Sequence, residues 1–341
     1  MDGDPTAGLG ARRAGHSEDQ IRLMAKIARM YHERGMRQSQ IAEELHVSQP
    51  RVSRLLKRAT EIGIIRTTVA LPAGVHTDLE DALESAYGLR EAVVVDAGGG
   101  DDVTAALGSA AAVYLESTLT GGDTVGISSW SATLLASVES LRPARTRVVE
   151  TVVQVVGGVG DPRVQMQATR LIGRFASSTG ADPVFMPAPG MLGTAAARDS
   201  LAADPTVQAV MRVWDDLTMV LVGIGSLDPS PLLRESGNAL AATDQEQLRD
   251  AGAVGDICLR FFDQDGAPVR SDVDDRVVGI GADPLRRVPR RVGVAGGARK
   301  HLAIRAALLG GWVNVLITDL ETAQRLLADA PAAAGARGGV A

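Results

Sequence analysis

The chain has 341 residues, enough for two domains, with 45% apolar residues, 38 Gly and only 3% aromatics. Its single cysteine, Cys258, excludes an internal disulfide framework, and no apolar run of spanning length occurs, so a cytoplasmic protein without a membrane segment is expected. The net charge of −6 is unevenly spread: residues 1–70 carry 12 basic and 8 acidic side chains, leaving 23 and 33 for the remainder. A small basic head on an acidic body points to a polyanion partner for the head alone.

Residues 1–17 are rich in Gly, Arg and Asp without periodicity, and read as a disordered tail. From Glu18 a helical period sets in, with Ile21, Met24, Ala25, Ala28 and Tyr31 at spacings of three and four, and Gly35 ends it. Next comes "QSQIAEELHVSQPRVSRLLKRATEIGII". Ile41, Ala42 and Leu45 make one apolar face, and Val52, Leu55 and Leu56 make a second beyond the turn at His46–Ser48. Counted from Gln38 this is a helix-turn-helix frame of about twenty residues, with small Ala42 where the helices approach and His46 where a left-handed residue is needed. Ser48 reads as N-cap, with Pro50 early in the second helix. That helix turns Gln49, Arg51, Ser53, Arg54 and Lys57 outward. Gln49, Arg51 and Arg54 suit base edges, and Lys57 and Arg58 suit phosphates. The plain alternative is a helical hairpin with a charged outer face. His16, His32, His46 and His76 are scattered without metal-site spacing, and neither a metal nor a cofactor is expected.

The head is taken as residues 18–66, a linker as 67–78 around "TTVALPAG", and one large domain as 79–329, followed by a mobile tail, 330–341. In the large domain "DLEDALESAYGL" and "DDVTAALGSAAAVYLESTL" read as helices, and "EAVVVDA", "DTVGIS", "RVVETVVQVVGG", "LTMVLVGIGS", "RVGVAGG" and "VNVLITD" as strands. Short apolar strands alternating with helices imply an α/β fold: a doubly wound, mostly parallel sheet, with ligand loops at the carboxyl ends of its strands. One such junction is "TVGISSWSATLL". Ser129, Ser131 and Thr133 crowd a strand-to-helix turn, where free N–H groups and the helix dipole favour an anion; plain helix capping is the alternative.

In its blocks "SQPRVSRLLKRA", "GDTVGISSWSATL", "GIGSLDPSPLL", "AGAVGDICLRFFDQDG" and "VGVAGGARKHLAIRAALLGG" the chain resembles the SorC family of sugar-responsive bacterial transcription regulators, from about Ile21 to Leu327. The resemblance implies an effector domain similar to sugar-phosphate isomerases and glucosamine-phosphate deaminases. It also implies a homo-oligomer, dimer or tetramer, whose grip on a double-stranded DNA operator changes when a phosphorylated sugar binds. Carried over to matching positions, Ser129, Ser131 and Thr133 hold the phosphate. Asp256, on a Gly-flanked loop, accepts from sugar hydroxyls, and Lys300 near a helix start faces the anion. Gln154, Gly223 and Gly225 line the pocket. The family pattern Trp-Gly-x-Thr has Gly where this chain has Ser131, a change that narrows the loop or adds a donor. Asp256 also fits a plain turn, and Lys300 a solvated helix position. The alternative function is a sugar-phosphate isomerase or deaminase fused to a DNA-binding head. It needs a paired acid and base, and beyond residue 79 the only histidine is His301.

Overall fold

The computed structural model describes residues 18–65, 74–98, 101–158, 162–228 and 240–331. The chain divides into two compact units, 1–71 and 72–341. The tail expected over 1–17, most of the linker and residues 332–341 of the C-terminal tail lie outside the described residues.

The first unit holds three helices: α1 (Glu18–His32), α2 (Gln38–Glu44) and α3 (Gln49–Glu61). Acidic Glu18 and Asp19 open α1 and basic Arg29 and His32 close it, in the sense its dipole favours. Gly35 takes φ +64 and ends that segment. Arg37 N–H donates to Gln40 Oε1 at 2.9 Å and fixes the start of α2. Between α2 and α3 His46 takes φ 51, the left-handed conformation its place requires, and Val47 N–H bonds Ala42 O at 2.9 Å. Ile27, Met30, Ile41, Ala42, Val52 and Leu56 close one small core, and Met24, Ala59 and Ile62 another. One expectation for α1 fails. Tyr31 is exposed, stacked edge-on against His32, and the buried face is centred on Ile27 and Met30. An unbranched Met fills the core with no polar atom, whereas the phenol keeps its hydroxyl in water.

The second unit opens with α4 (Thr77–Tyr87), so residues 77 and 78, expected as linker, are helical. There follow β1 (Glu91–Val95), α5 (Asp101–Thr118), β2 (Asp123–Ile127), α6 (Ala132–Ser140), β3 (Val149–Gln154), α7 (Pro162–Thr179), β4 (Asp182–Val184), α8 (Ala195–Ala202), α9 (Pro205–Val213) and β5 (Met219–Val222). The short β6 (Gly225–Ser226), α10 (Ala242–Asp250), β7 (Ala253–Ile257), β8 (Arg260–Asp263), α11 (Ala282–Arg287), β9 (Arg290–Val294), α12 (His301–Leu309), β10 (Val315–Asp319) and α13 (Leu320–Ala328) complete it. Seven strands form one parallel sheet in the order β1-β10-β9-β5-β2-β3-β4.

Both faces of that sheet are covered, which is why its strands read as apolar runs. On β10, Val315 and Ile317 pack with α5, α6 and α7 through Leu115, Leu134 and Phe175, while Leu316 between them packs with Leu83, Ile304 and Leu326 of α4, α12 and α13. The edge strand β1 is closed from outside: Glu80 and Glu84 of α4 accept its Val94 and Ala92 N–H groups, each at 2.9 Å. Side-chain carboxylates there occupy donors that would otherwise invite another strand. Among the described residues no helix is long and apolar enough to cross a membrane.

A separate antiparallel sheet, β6-β7-β8, stands beside the main one. Asp256 lies in β7 rather than on the loop expected for it, because Gly255 and Asp256 pair across to both β6 and β8. The hairpin between β7 and β8 turns on Cys258 (φ 56) and Leu259 (φ 62). Two consecutive left-handed residues are the geometry of a tight hairpin turn, usually filled by Asn-Gly. Here two larger side chains hold it because both are buried, and because Leu259 N–H donates to Asp256 Oδ2 at 3.0 Å.

Candidate functional site

On α3 every side chain expected to read DNA is exposed: Ser48, Gln49, Arg51, Ser53, Arg54, Lys57 and Arg58. The opposite face, Val52, Leu56 and Ala59, is buried. Ser48 occupies the N-cap but its hydroxyl makes no cap bond. Arg54 Nε reaches only the Pro50 carbonyl, at 3.4 Å. Arg58 pairs with Glu61 at 2.9 Å, which partly neutralises the charge expected for a phosphate.

In the second unit the strand order reverses direction between two neighbouring strands. From β2 the chain proceeds to β3 and β4 on one side, then returns to β5 and continues to β9 and β10 on the other. The crossovers therefore part between neighbouring β2 and β5, and the carboxyl ends of the strands at such a switch point are where open α/β sheets bind ligands. The turn Ser128–Ser131 follows β2, and Gly223 follows β5. Gly223 N–H lies 3.5 Å from Ser128 Oγ, and a Cβ at Gly223 would come within 2.9 Å of Ser131 Oγ.

The crowded hydroxyls of that turn divide their work. Ser129 is 1% exposed and donates to Val156 O at 2.9 Å, so its expected phosphate contact does not stand in this structure: the side chain faces inward and pins the turn to the segment after β3. Trp130 Nε1 does the same toward Gly157 O at 3.2 Å. Ser131 caps α6 by accepting Leu134 N–H at 3.2 Å, as the capping alternative holds. Thr133 is half-buried, and among the described residues its hydroxyl has no partner. Among the described residues the N–H groups of Ala132 and Thr133 have no cap partner at the start of a nine-residue helix, where an anion is favoured.

Beyond Gly223, Gly225 pairs with Asp256, and a Cβ there would overlap Asp256 Oδ1. Only glycine lets the carboxylate lie across that strand. Gly223 and Gly225 are two residues apart, about 7 Å along extended chain, which ties the strand crossed by Asp256 to the hydroxyl turn after β2. Burial pushes the Asp256 carboxyl up to about 6, against the opposing pull of the Leu259 N–H and the Lys300 ammonium. Burial likewise pushes Lys300 below the usual lysine range, while Asp256 counteracts and Arg299 adds to the shift. Lys300 ends a 3-10 turn, Ala298–Lys300, at the N-cap of α12, and the two groups feel each other's charge.

Gln154 departs from the expected lining role. Its side chain is 3% exposed, its Oε1 accepts Met186 N–H at 2.8 Å, and its backbone carbonyl accepts Trp214 Nε1 at 2.9 Å. The last residue of β3 is thus enclosed by the chain that follows it. One contributor escaped the sequence reading. Asp319, at the end of β10, accepts Gly297 N–H at 2.8 Å through one oxygen and caps α13 through Thr322 N–H at 3.0 Å with the other. It anchors the loop that carries Lys300. Its signal was the D-x-x-T pattern at a strand-to-helix junction.

A family described as "Putative sugar-binding domain" matches residues 72–328, and a helix-turn-helix family matches residues 7–65. The chain is 34% identical over 309 residues to the deoxyribonucleoside regulator of Bacillus subtilis, covering 90% of this chain and 97% of that one. It is 32% identical over 318 residues to the sorbitol operon regulator of Klebsiella pneumoniae, covering 91% and 99%. The crystal structure of the full-length sorbitol operon regulator SorC from Klebsiella pneumoniae superposes with a TM-score of 0.69 at 30% identity, covering 91% of this chain and all of that one.

Proposed function

Because the chain belongs to the SorC family of sugar-responsive, DNA-binding transcriptional regulators, we propose that its effector is a phosphorylated sugar or polyol bound in the crevice between β2 and β5. The observation that carries this is the α6 N-terminus at the topological switch point. Its free Ala132 and Thr133 N–H groups and the Thr133 hydroxyl are poised for a phosphate. Asp256 reads the hydroxyl groups and Lys300 neutralises the anion. Ser131 adds its hydroxyl at the rim beside Gly223.

In this reading α3 enters the major groove, with Gln49, Arg51 and Arg54 at base edges, Lys57 at the backbone, and Ser48 and Ser53 bonding phosphates. Two copies of the chain, within a homodimer or homotetramer in the cytoplasm, bind the halves of a pseudo-palindromic operator. Effector binding shifts the spacing of the heads or the assembly state. The relatives are named for a deoxyribonucleoside and for sorbitol, which makes 2-deoxypentose and hexitol phosphates the first compounds to test. Thermal unfolding of the full chain with such phosphosugars, and with their unphosphorylated counterparts, decides the matter. The expected result is a concentration-dependent rise in Tm with a phosphosugar, lost in Thr133→Ala and in Lys300→Ala, together with a change in operator affinity. Equal stabilisation by the unphosphorylated sugar, likewise lost in Thr133→Ala and in Lys300→Ala, would overturn the phosphate assignment.

A further inference from the structure

A cavity of about 370 Å³ lies in the second unit, away from the hydroxyl turn, and its walls include Arg198, Met211, Trp214, Arg260, Asp274 and Asp275. Its size is that of a small-molecule site. The floor is prebuilt. Arg260 is 9% exposed and its guanidinium is held by Ile280 O, Gly279 O and Asp274 O, each at 3.0 Å, and by Asp274 Oδ1 at 2.6 Å. A buried cation so firmly tied is a fixed part of the wall rather than a mobile surface charge, with one N–H on Nη2 left to offer.

The remaining hydrogen-bonding capacity is mixed. Arg198 donates through Nε to Asp275 O at 2.9 Å and its Nη1 forms an ion pair with Asp199 at 3.0 Å, which leaves Nη2 without a partner among the described residues. The Asp275 carboxylate has none either, and Asp274 spends only one oxygen on Arg260. Two guanidinium groups and two carboxylates cancel in charge, so these walls favour a neutral ligand over an anion. Half-buried Trp214 and Met211 supply an apolar wall. Donors and acceptors side by side, facing an indole, match a molecule whose hydroxyl groups alternate with C–H faces.

We propose that this cavity is a second ligand site, for an uncharged sugar or polyol, separate from the phosphate-binding crevice. Its frame joins that of the crevice. Trp214 Nε1 holds the Gln154 carbonyl, and Gly279 bridges to Val156, whose own carbonyl receives Ser129 Oγ. A ligand pressed on Trp214 therefore bears on the segment that pins the hydroxyl turn.

The test uses the full chain with unphosphorylated sorbitol, ribose and glucose at millimolar concentrations, followed by calorimetry and by tryptophan emission. Trp214 lines the cavity and Trp130 and Trp312 do not, so a change in emission retained in Thr133→Ala reports on Trp214. The expected result is saturable binding of at least one compound with an emission shift, weakened about tenfold or more in Asp275→Asn and in Arg198→Gln. Both positions lie at the partly exposed rim, where substitution leaves the fold standing. Absence of binding by all three compounds overturns the proposal. So does binding unchanged in both variants, or binding weakened instead by Thr133→Ala, which would move the ligand to the crevice.

Discussion

The two units place their polar side chains in opposite ways. On α3 of the head, Gln49, Arg51, Arg54 and Lys57 stand exposed, while the fold rests on Val52, Leu56 and Ala59 across the helix. In the body the corresponding polar groups are built in. Ser129 and Gln154 are buried and bonded to the backbone, and Asp256 holds a strained hairpin. Recognition in the head is therefore separable from stability. In the body the two are coupled, as a sensor requires: a ligand changes the scaffold only if its contacts are part of the scaffold.

The largest expected effect is in the head. Arg51→Ala with Arg54→Ala removes two groups worth about 1–3 kcal/mol each at base edges. Operator affinity should fall by roughly thirtyfold or more at fixed salt, measured by fluorescence anisotropy, with Tm unchanged. A matching fall in Tm would break the contrast. In the body, Gly225→Ala puts a methyl group into Asp256 Oδ1. It should cost about 1–3 kcal/mol of stability by overpacking, read by urea denaturation, and remove phosphosugar binding with it. Gly223→Ala meets Ser131, its Oγ at 2.9 Å and its Cβ at 3.3 Å, rather than overlapping a carboxylate, and should be milder on both counts.

Asp256 sharpens the comparison further through pH. Its folded value, about 6, lies above the ordinary 3.8, so the folded state favours the protonated form. The stability this contributes is whole below the ordinary value and is lost as pH rises through 6. Asp256→Asn keeps an acceptor for Leu259 N–H without a charge to bury. It should be more stable than the parent above pH 6 by on the order of 1–2 kcal/mol, after allowance for solvent access, with the difference closing toward acid pH. A constant difference across that range would sever the link to ionisation. The smallest effect is expected of Ser129→Ala. Losing the bond to Val156 O costs about 1 kcal/mol in denaturation, and phosphosugar affinity shifts less than in Thr133→Ala. If the two variants weaken binding equally, Ser129 reaches the ligand after all.

How far the sequence could be read follows the same division. The helix-turn-helix is written in twenty adjacent residues with a helical period, down to the left-handed turn at His46. The parallel strands announced themselves as apolar runs because both faces of the sheet are covered. The edge strand β4 and the small sheet β6-β7-β8 carried no comparable signal: β6 lies inside the run "LTMVLVGIGS" that reads as one strand, and β7, which bears Asp256, reads as loop. The residue types of the crevice were legible from their blocks, whereas their individual tasks were not.

By itself, the sequence determined that a basic helical head is joined to an α/β body with hydroxyl groups at a strand-to-helix turn, since each of these is a local pattern of period, cap and composition. Tertiary structure alone decided that β2 and β5 are neighbours, so that Ser131 meets Gly223 and Asp256 crosses Gly225. It also decided that Ser129 and Gln154 turn inward while Thr133 is left free. The reason is physical: a hydroxyl or amide near a backbone carbonyl or N–H satisfies it if the packing brings the two together. Which pairs meet is set by strand order and burial, and neither is a property of nearby residues.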